Sequence, residues 1–338
     1  MSIPYRTQQG FKRFFIALLI IMLVAALLLM FWLVWLGRFV VYTREGAVLD
    51  MSRSSKEISG QLAVPPQDTG SIEIYYNEGD DAISTGTELT QLTGYYISAQ
   101  ALKGDMEVIK EQIRQLPAGT PVMVEVKNSF GSFYYSTGVS EFITDEIDPL
   151  AMDELIKFLD QSGMYTIARL PALRDYCYGL NHTRDGLPHP GGYLWADADY
   201  RYWLNAGSEG TISFLTAIAK ELQELGFDEV VFFEFCFPEN ANIVFNGDRE
   251  QTINNAAQTL VNTCATATFA VSFEGSEGFK PPIGRSRVFY ESVDAIDAED
   301  VAEASGVSDT AVNLVFVTDT HDTRFDVYGV MRPIEAAH

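Results

Sequence analysis

Residues 208–238 read SEGTISFLTAIAKELQELGFDEVVFFEFCFP, and two periodicities in this stretch decide the fold class. Ile212, Leu215, Ile218, Ala219, Leu222 and Leu225 recur at helical spacing. Gly226 follows, the residue expected just past a helix end, where the backbone turns left-handed. From Val230 to Phe237 the run is apolar on both faces, as a strand is when a parallel sheet is covered by helices outside and filled by core inside. The one charge in that run is Glu234. A lone carboxylate near the C-terminal end of a buried strand is costly unless it is paired, protonated or facing a site. Outward pairing with a Lys or Arg on a covering helix is the structural alternative.

The same alternation extends in both directions. Toward the N-terminus, residues 93–99 read as a strand, 105–116 as a helix, 121–127 as a strand and 128–137 as a loop rich in Ser, Gly and aromatics. Asp148-Pro149 opens the next helix with a side-chain cap and a proline at the first helical position, and 165–170 is the strand after it. Toward the C-terminus, 250–264 is helical and 269–273 is a strand ending at Glu274-Gly275. Beyond it 287–292 is a weaker strand, 298–304 a short helix, and 311–318 a strand ending in Asp319. Six to seven strands result where a closed barrel needs eight. Either an eighth hides in 276–296 or 325–330, or the barrel is incomplete. The pattern favours an α/β fold of the (β/α)8, TIM-like kind. A doubly wound open sheet ranks second, because no Gly-x-Gly-x-x-Gly follows the first strand and no phosphate loop appears.

Ahead of this region, residues 14–36 form a run of 23 without a charge, enough for a helix to cross a hydrocarbon core about 30 Å thick. The run is too long for a signal-peptide apolar segment, and Leu36-Gly37-Arg38 lacks a small-x-small cleavage pattern, so an uncleaved anchor is expected. Arg6, Lys12 and Arg13 precede it with no acidic residue, while Trp32, Trp35 and Tyr42 suit the far interface. The expected organisation is a cytoplasmic tail at 1–13, a transmembrane helix at 14–36 and a juxtamembrane linker at 37–88 with one short strand at 72–76. A barrel at 89–338 follows, outside the cell membrane.

The chain carries a formal charge of −23. Residues 1–38 contribute four basic side chains and no acidic one, so the remainder stands at −27. Such a surface argues against nucleic acid and against adsorption on anionic lipid, both of which need basic patches. Three cysteines, Cys177, Cys236 and Cys264, are too few for a disulfide-built fold. Cys177 and Cys236 could bridge, but nothing in their spacing demands it, and two buried thiols is the preferred reading. His182, His189 and His321 match no metal-ligand spacing, and no cofactor or metal is expected.

In such barrels the reactive groups lie at the C-terminal ends of strands, where the loops converge on one mouth. Those positions hold Glu125 and Lys127, Arg169 and Asp175, Glu234 and Glu239, Glu274 and Asp319. Asp197 lies in the long loop after the third strand, with Tyr134, Tyr135, Tyr176, Tyr178, Tyr193 and Trp195 nearby in sequence. Paired carboxylates and flat rings are what glycosidic chemistry uses: one acid protonates the leaving oxygen, a second acts as nucleophile or base, and rings stack on sugar faces. Glu234 and Glu274 are the candidate catalytic pair. Glu125, Lys127, Arg169, Asp175, Trp195, Asp197 and Asp319 are the candidate substrate contacts.

Several segments carry a family resemblance: residues 93–98 (TGYYIS), 124–127 (VEVK), 165–169 (YTIAR), Arg174-Asp175, Trp195-Ala196-Asp197, and 222–238. Together they resemble the putative glycoside hydrolase family of TIM barrels, first catalogued as a domain of unknown function, over roughly residues 92–240. The resemblance implies a barrel that acts on extracellular polysaccharide or cell-wall glycan, or descends from proteins that do. It also marks a departure. Where the family has Phe-Asp-Tyr-x-Arg-Phe-Pro, this chain has Phe232 to Pro238, so the family Asp falls on Phe233 and its Arg on Cys236. Strand side chains alternate, so Glu234 should face away from the missing Asp unless a one-residue bulge turns it. Two readings follow: a membrane-anchored hydrolase of O-glycosyl bonds using Glu234 and Glu274, or a catalytically inactive relative serving as a glycan-binding or envelope module.

Overall fold

The computed structural model describes residues 88–334 except Ala241, and the backbone of 40–43 and 46–49. The chain divides between Asp80 and Asp81 into two compact units. In the first, Val40–Thr43 pairs antiparallel with Gly46–Leu49. This ribbon falls within the stretch 37–88 expected to be a juxtamembrane linker. The 72–76 strand and the apolar run 14–36 lie outside the described residues. Among the described residues no helix is long and apolar enough to cross a membrane.

The second unit is a closed barrel of eight parallel strands, as the (β/α)8 reading expects, and the alternative of an incomplete barrel falls away. The strands are β1 (Thr93–Ile97), β2 (Pro121–Glu125), β3 (Tyr165–Pro171), β4 (Glu229–Phe233), β5 (Ala270–Glu274), β6 (Val288–Glu291), β7 (Leu314–Val317) and β8 (Gly329–Pro333). β8 closes the ring between β7 and β1, with Val330 opposite both Phe316 and Thr93. The helices are α1 (Ala99–Leu102), α2 (Met106–Arg114), α3 (Pro149–Gln161), α4 (Tyr176–Asn181), α5 (Glu209–Glu224), α6 (Arg249–Cys264), α7 (Ala298–Ala304) and α8 (Thr310–Asn313). The Asp148 carboxylate accepts the Leu150 N–H at the start of α3, and Gly226 closes α5 at φ +94°. The β5–β6 connection, residues 275–287, carries no helix.

Alternation along each strand sorts the core into two shells. Val122, Val124, Ala168, Leu170, Val230 and Phe232 face outward against Ile113, Leu155, Leu215, Ile218 and Leu260 of the helices. Met123, Ile167, Val231, Phe233, Phe289, Val315 and Met331 fill the barrel. β1 and β2 approach so closely at Gly94 that a Cβ there would lie 2.1 Å from the Pro121 carbonyl oxygen.

At the N-terminal end the interior turns polar. Glu229 and Arg287 form an ion pair that is 0 % and 1 % exposed. Arg287 also donates to the Thr90 carbonyl (2.8 Å) and the Val312 carbonyl (3.1 Å), while the Tyr165 hydroxyl donates to Glu229 (3.0 Å). Each charge therefore has several partners, which a buried pair needs if it is not to weaken the fold. Arg287→Leu strips one partner from a buried carboxylate. It is expected to lower the unfolding free energy by about 3–5 kcal/mol in urea titrations, and adding Glu229→Leu should recover part of that loss. A single variant within about 0.5 kcal/mol of wild type would show that the pair does not hold the barrel base.

Candidate functional site

The interior positions turn polar again at the C-terminal end, and the runs of four strands, β2, β4, β5 and β6, finish on a glutamate: Val122–Glu125, Val230–Glu234, Val271–Glu274 and Val288–Glu291. Glu125, Glu274 and Glu291 sit inward in the normal alternation, one step above Met123, Ser272 and Phe289. β4 differs. Phe233 holds the inward position, 2 % exposed, and meets Phe289 edge-on at 6.3 Å between centroids. The Arg169 guanidinium lies 4.1 Å above the Phe233 ring. Arg169 also donates to Glu125 at 2.5 Å and to both oxygens of Glu291 at 2.8 Å. Phe233 thus stops the barrel, and a charged triad stands on top of it.

Glu234 reaches the mouth by another route than the expected bulge. Its backbone lies in the left-handed region at φ +51°, which costs a residue with a Cβ roughly 1–2 kcal/mol. The chain leaves the strand there. The Glu234 peptide N–H donates to Glu274 Oε2 at 2.7 Å, and its carboxylate accepts from Arg174 Nη1 at 2.9 Å. Glu125, Tyr134, Arg169, Phe233, Glu234, Glu274 and Glu291 line one cleft of about 360 Å³.

Arg174 is the hub of a second network. Its Nε donates to Asp197 and its Nη2 to Asp199, each at 2.6 Å, while the Trp203 indole N–H donates to the same Asp197 carboxylate at 3.0 Å. Asp197 and Trp203 belong to a ribbon made by the β3–α5 connection, with Pro188 opposite Leu194 and Ala196 opposite Tyr202. The ribbon therefore grips Glu234 through one guanidinium.

Burial pushes the Glu234 carboxyl above its usual pKa, and Arg174 opposes that shift. Glu274 is raised by burial and by Glu291, with the Glu234 N–H pulling the other way. Glu291 is raised by burial against the pull of Arg169. Burial alone would raise Asp197 too, but Arg174, the Arg201 N–H and the Trp203 indole hold it below its usual value. Glu274 is thus the mouth carboxylate whose bond is to a neutral N–H, whereas Glu234 and Glu291 each face a guanidinium.

Of the residues proposed from sequence, Glu125, Arg169, Glu234 and Glu274 meet in the cleft, and Asp197 stands behind it on Arg174. The others lie elsewhere. Lys127 and Asp175 pair with each other at 2.8 Å, 0 % and 1 % exposed, with Lys127 also bonded to the Pro171 carbonyl at 3.0 Å; they fasten the β2 and β3 loops and do not line this cleft. Trp195 is 7 % exposed and packs in the core of its ribbon, so its ring is no stacking platform. Asp319 is exposed beside Thr320 and does not line the cleft. Tyr135 is buried with its hydroxyl on Glu221 at 2.7 Å. All three cysteines are free, so Cys177 and Cys236 are not bridged. Sequence reasoning missed Glu291, although Val288-Phe289-Tyr290-Glu291 repeats the apolar run ending in an acid that marks β2 and β5.

The model of a family described as "Putative glycosyl hydrolase domain" matches residues 94–272, more than half of the chain, and the chain belongs to that family. No protein of curated function matches the sequence. Among solved structures, the GH36 α-galactosidase AgaA of Geobacillus stearothermophilus superposes with a TM-score of 0.53 at 12 % identity, over 73 % of this chain and 39 % of that one. The α-galactosidase of Lactobacillus brevis gives 0.51 at 11 %, over 74 % and 38 %. A hypothetical protein of Ruminiclostridium thermocellum is 19 % identical over 53 % of this chain and 96 % of that one, with a TM-score of 0.46. The chain spans about two fifths of the length of these α-galactosidases, and at such identities the likeness is one of fold.

The raised Glu274 carboxyl has a consequence for stability. A carboxyl whose folded pKa lies above its unfolded one adds no cost while both states are protonated. Its cost grows as pH rises from the unfolded value through the folded one. Glu274→Gln mimics the protonated acid and keeps an oxygen for the Glu234 N–H. The variant is expected to melt above wild type at pH 8, with the difference vanishing toward pH 4. A difference equal at both pH values would show that burial does not perturb this group.

Proposed function

We propose that the protein hydrolyses O-glycosidic bonds, with Glu234 acting as the carboxylate and Glu274 as the general acid. The observation that carries this reading is the placement of the two groups at the ends of neighbouring strands in unlike surroundings. Burial raises both carboxyls; the Glu234 carboxylate accepts from the Arg174 guanidinium, while Glu274, beside Glu291, accepts a peptide N–H. Pairs of carboxyls whose environments separate their pKa values are how one site holds an acid and a base at one pH. Arg169, Glu125, Glu291 and Tyr134 supply charged and hydroxyl groups that can meet sugar hydroxyls in the same cleft.

The substrate on this reading is an extracellular polysaccharide or cell-wall glycan. Residues 14–36 anchor the chain in the cell membrane as a single span, with residues 1–13 cytoplasmic and the barrel outside. Support comes from the 23-residue uncharged run, the basic tail before it and the strongly acidic remainder, which keeps clear of anionic lipid and nucleic acid. A second reading rests on Phe233. The resemblance puts the family Asp there, an apolar ring cannot attack an anomeric carbon or move a proton, and a barrel stopped in this way could bind glycan without cutting it.

The two readings separate in a screen of the detergent-solubilised protein against cell-wall and exopolysaccharide preparations, scored by new reducing ends. Under hydrolysis, Glu234→Gln and Glu274→Gln are each expected to lower kcat at least about 100-fold. Both should fold with circular dichroism spectra like that of wild type. A variant that keeps its rate removes that residue from the mechanism. Binding in a polysaccharide pull-down with no reducing ends from wild type selects the non-catalytic reading.

A further inference from the structure

Past Glu234 and Glu274, the chain from β4 and the chain from β5 diverge into the walls of a second cavity. Phe237 and Glu239 follow β4, Ser276 and Phe279 follow β5, and Arg249 and Glu250 in the first turn of α6 close the far side, around about 490 Å³. That volume is within the roughly 300–1,000 Å³ of pockets that hold small molecules. Cys236 lines this groove. It lies two residues beyond Glu234, and its thiol is pushed up to about 12 by burial and by the Glu274 and Glu234 carboxylates beside it. The missing helix between β5 and β6 leaves the flank open. A further cavity of about 780 Å³ shares Glu250 and Phe279 and continues toward Tyr290.

The groove is built rather than incidental. Phe237 is half-buried, its ring 4.6 Å from that of Phe245 and tilted by 44°, with the Arg249 guanidinium 6.0 Å from its centroid. Gly278 takes φ +75°, a conformation that favours glycine, and packs against the Glu250 side chain. A ring edged by a guanidinium and several carboxylates matches a sugar ring, which offers an apolar C–H face and a rim of hydroxyls.

We infer that this groove binds the sugar units adjoining the bond held between Glu234 and Glu274, so that the protein takes an oligosaccharide or polysaccharide chain and not a single terminal sugar. The inference rests on the hydrolytic site proposed above. It also carries a kinetic consequence, because contacts to units remote from the bond can be used to drive the reacting centre toward its transition state.

The test compares wild type, Phe237→Ala and Ser276→Trp on galactose-, glucose- and glucosamine-based oligosaccharides of two and six units. Wild type is expected to show kcat/KM at least about tenfold higher on the six-unit chain. Each variant should bring that ratio to within about threefold, by losing the ring face or by filling the groove. The ratio cancels any general loss of activity, and circular dichroism checks the fold. A wild-type ratio near one overturns the inference, as does a ratio that survives in both folded variants. Where no chain is cut, the hydrolytic reading fails and calorimetric titration with the same sugars decides. Tighter binding of six units than of two, lost in the variants, upholds the groove; equal or undetectable binding overturns it.

Discussion

The bond from the Glu234 peptide N–H to the Glu274 carboxylate joins backbone geometry to chemistry. A left-handed glutamate is unfavourable by roughly 1–2 kcal/mol, and a hydrogen bond to a charged group contributes about 1.5–3 kcal/mol. The two are of one size, so the conformation is tenable because Glu274 is there to receive the N–H. The same bond brings the end of β4 against the end of β5 and leaves the Glu234 side chain free to turn toward Arg174. Without it, β4 would continue its alternation and aim Glu234 at the covering helices.

Electrostatics at the mouth follow from counting partners. Four glutamates meet two guanidiniums, and Arg169 is shared between Glu125 and Glu291 while Arg174 is shared among Glu234, Asp197 and Asp199. Glu274 is left with a neutral donor. Burial raises both Glu274 and Glu234, opposed at Glu274 by the Glu234 N–H and the more distant Arg169, and at Glu234 by the bonded Arg174. The ribbon carrying Asp197 matters at a distance: by gripping the far side of Arg174, it fixes the cation that opposes the upward push of burial on Glu234.

Much of the scaffold was legible because long amphipathic helices and two-sided apolar strands repeat at intervals a barrel imposes. β8 was hard to see because its five residues, Gly329 to Pro333, include only two inward or outward apolar side chains of consequence, Val330 and Met331. Register supplied by β7 and β1, not local preference, makes it a strand. Among site residues, the meeting of the strand-end acids follows from position alone, whereas the burial of Lys127, Asp175 and Trp195 was not legible because it is a property of the folded loops. The left-handed turn at Glu234 left no local mark either, since glycine or asparagine would signal it and glutamate does not.

The two polar ends of the barrel show why the mouth, and not the base, is the place for chemistry. At the base, Glu229 and Arg287 are matched one to one, shut from solvent, and supplied with further hydrogen bonds from Ser272, Tyr165 and two carbonyls. Such an arrangement is at rest: no proton or ligand can enter without breaking it. At the mouth the charges are unmatched, 20–29 % of each side chain in the Glu125–Arg169–Glu291 group is exposed, and a strained residue sits among them. Local departures from the stable arrangement gather where a protein works. Here they gather at one end of a barrel whose other end shows what the same residue types do when stability is all that is asked of them.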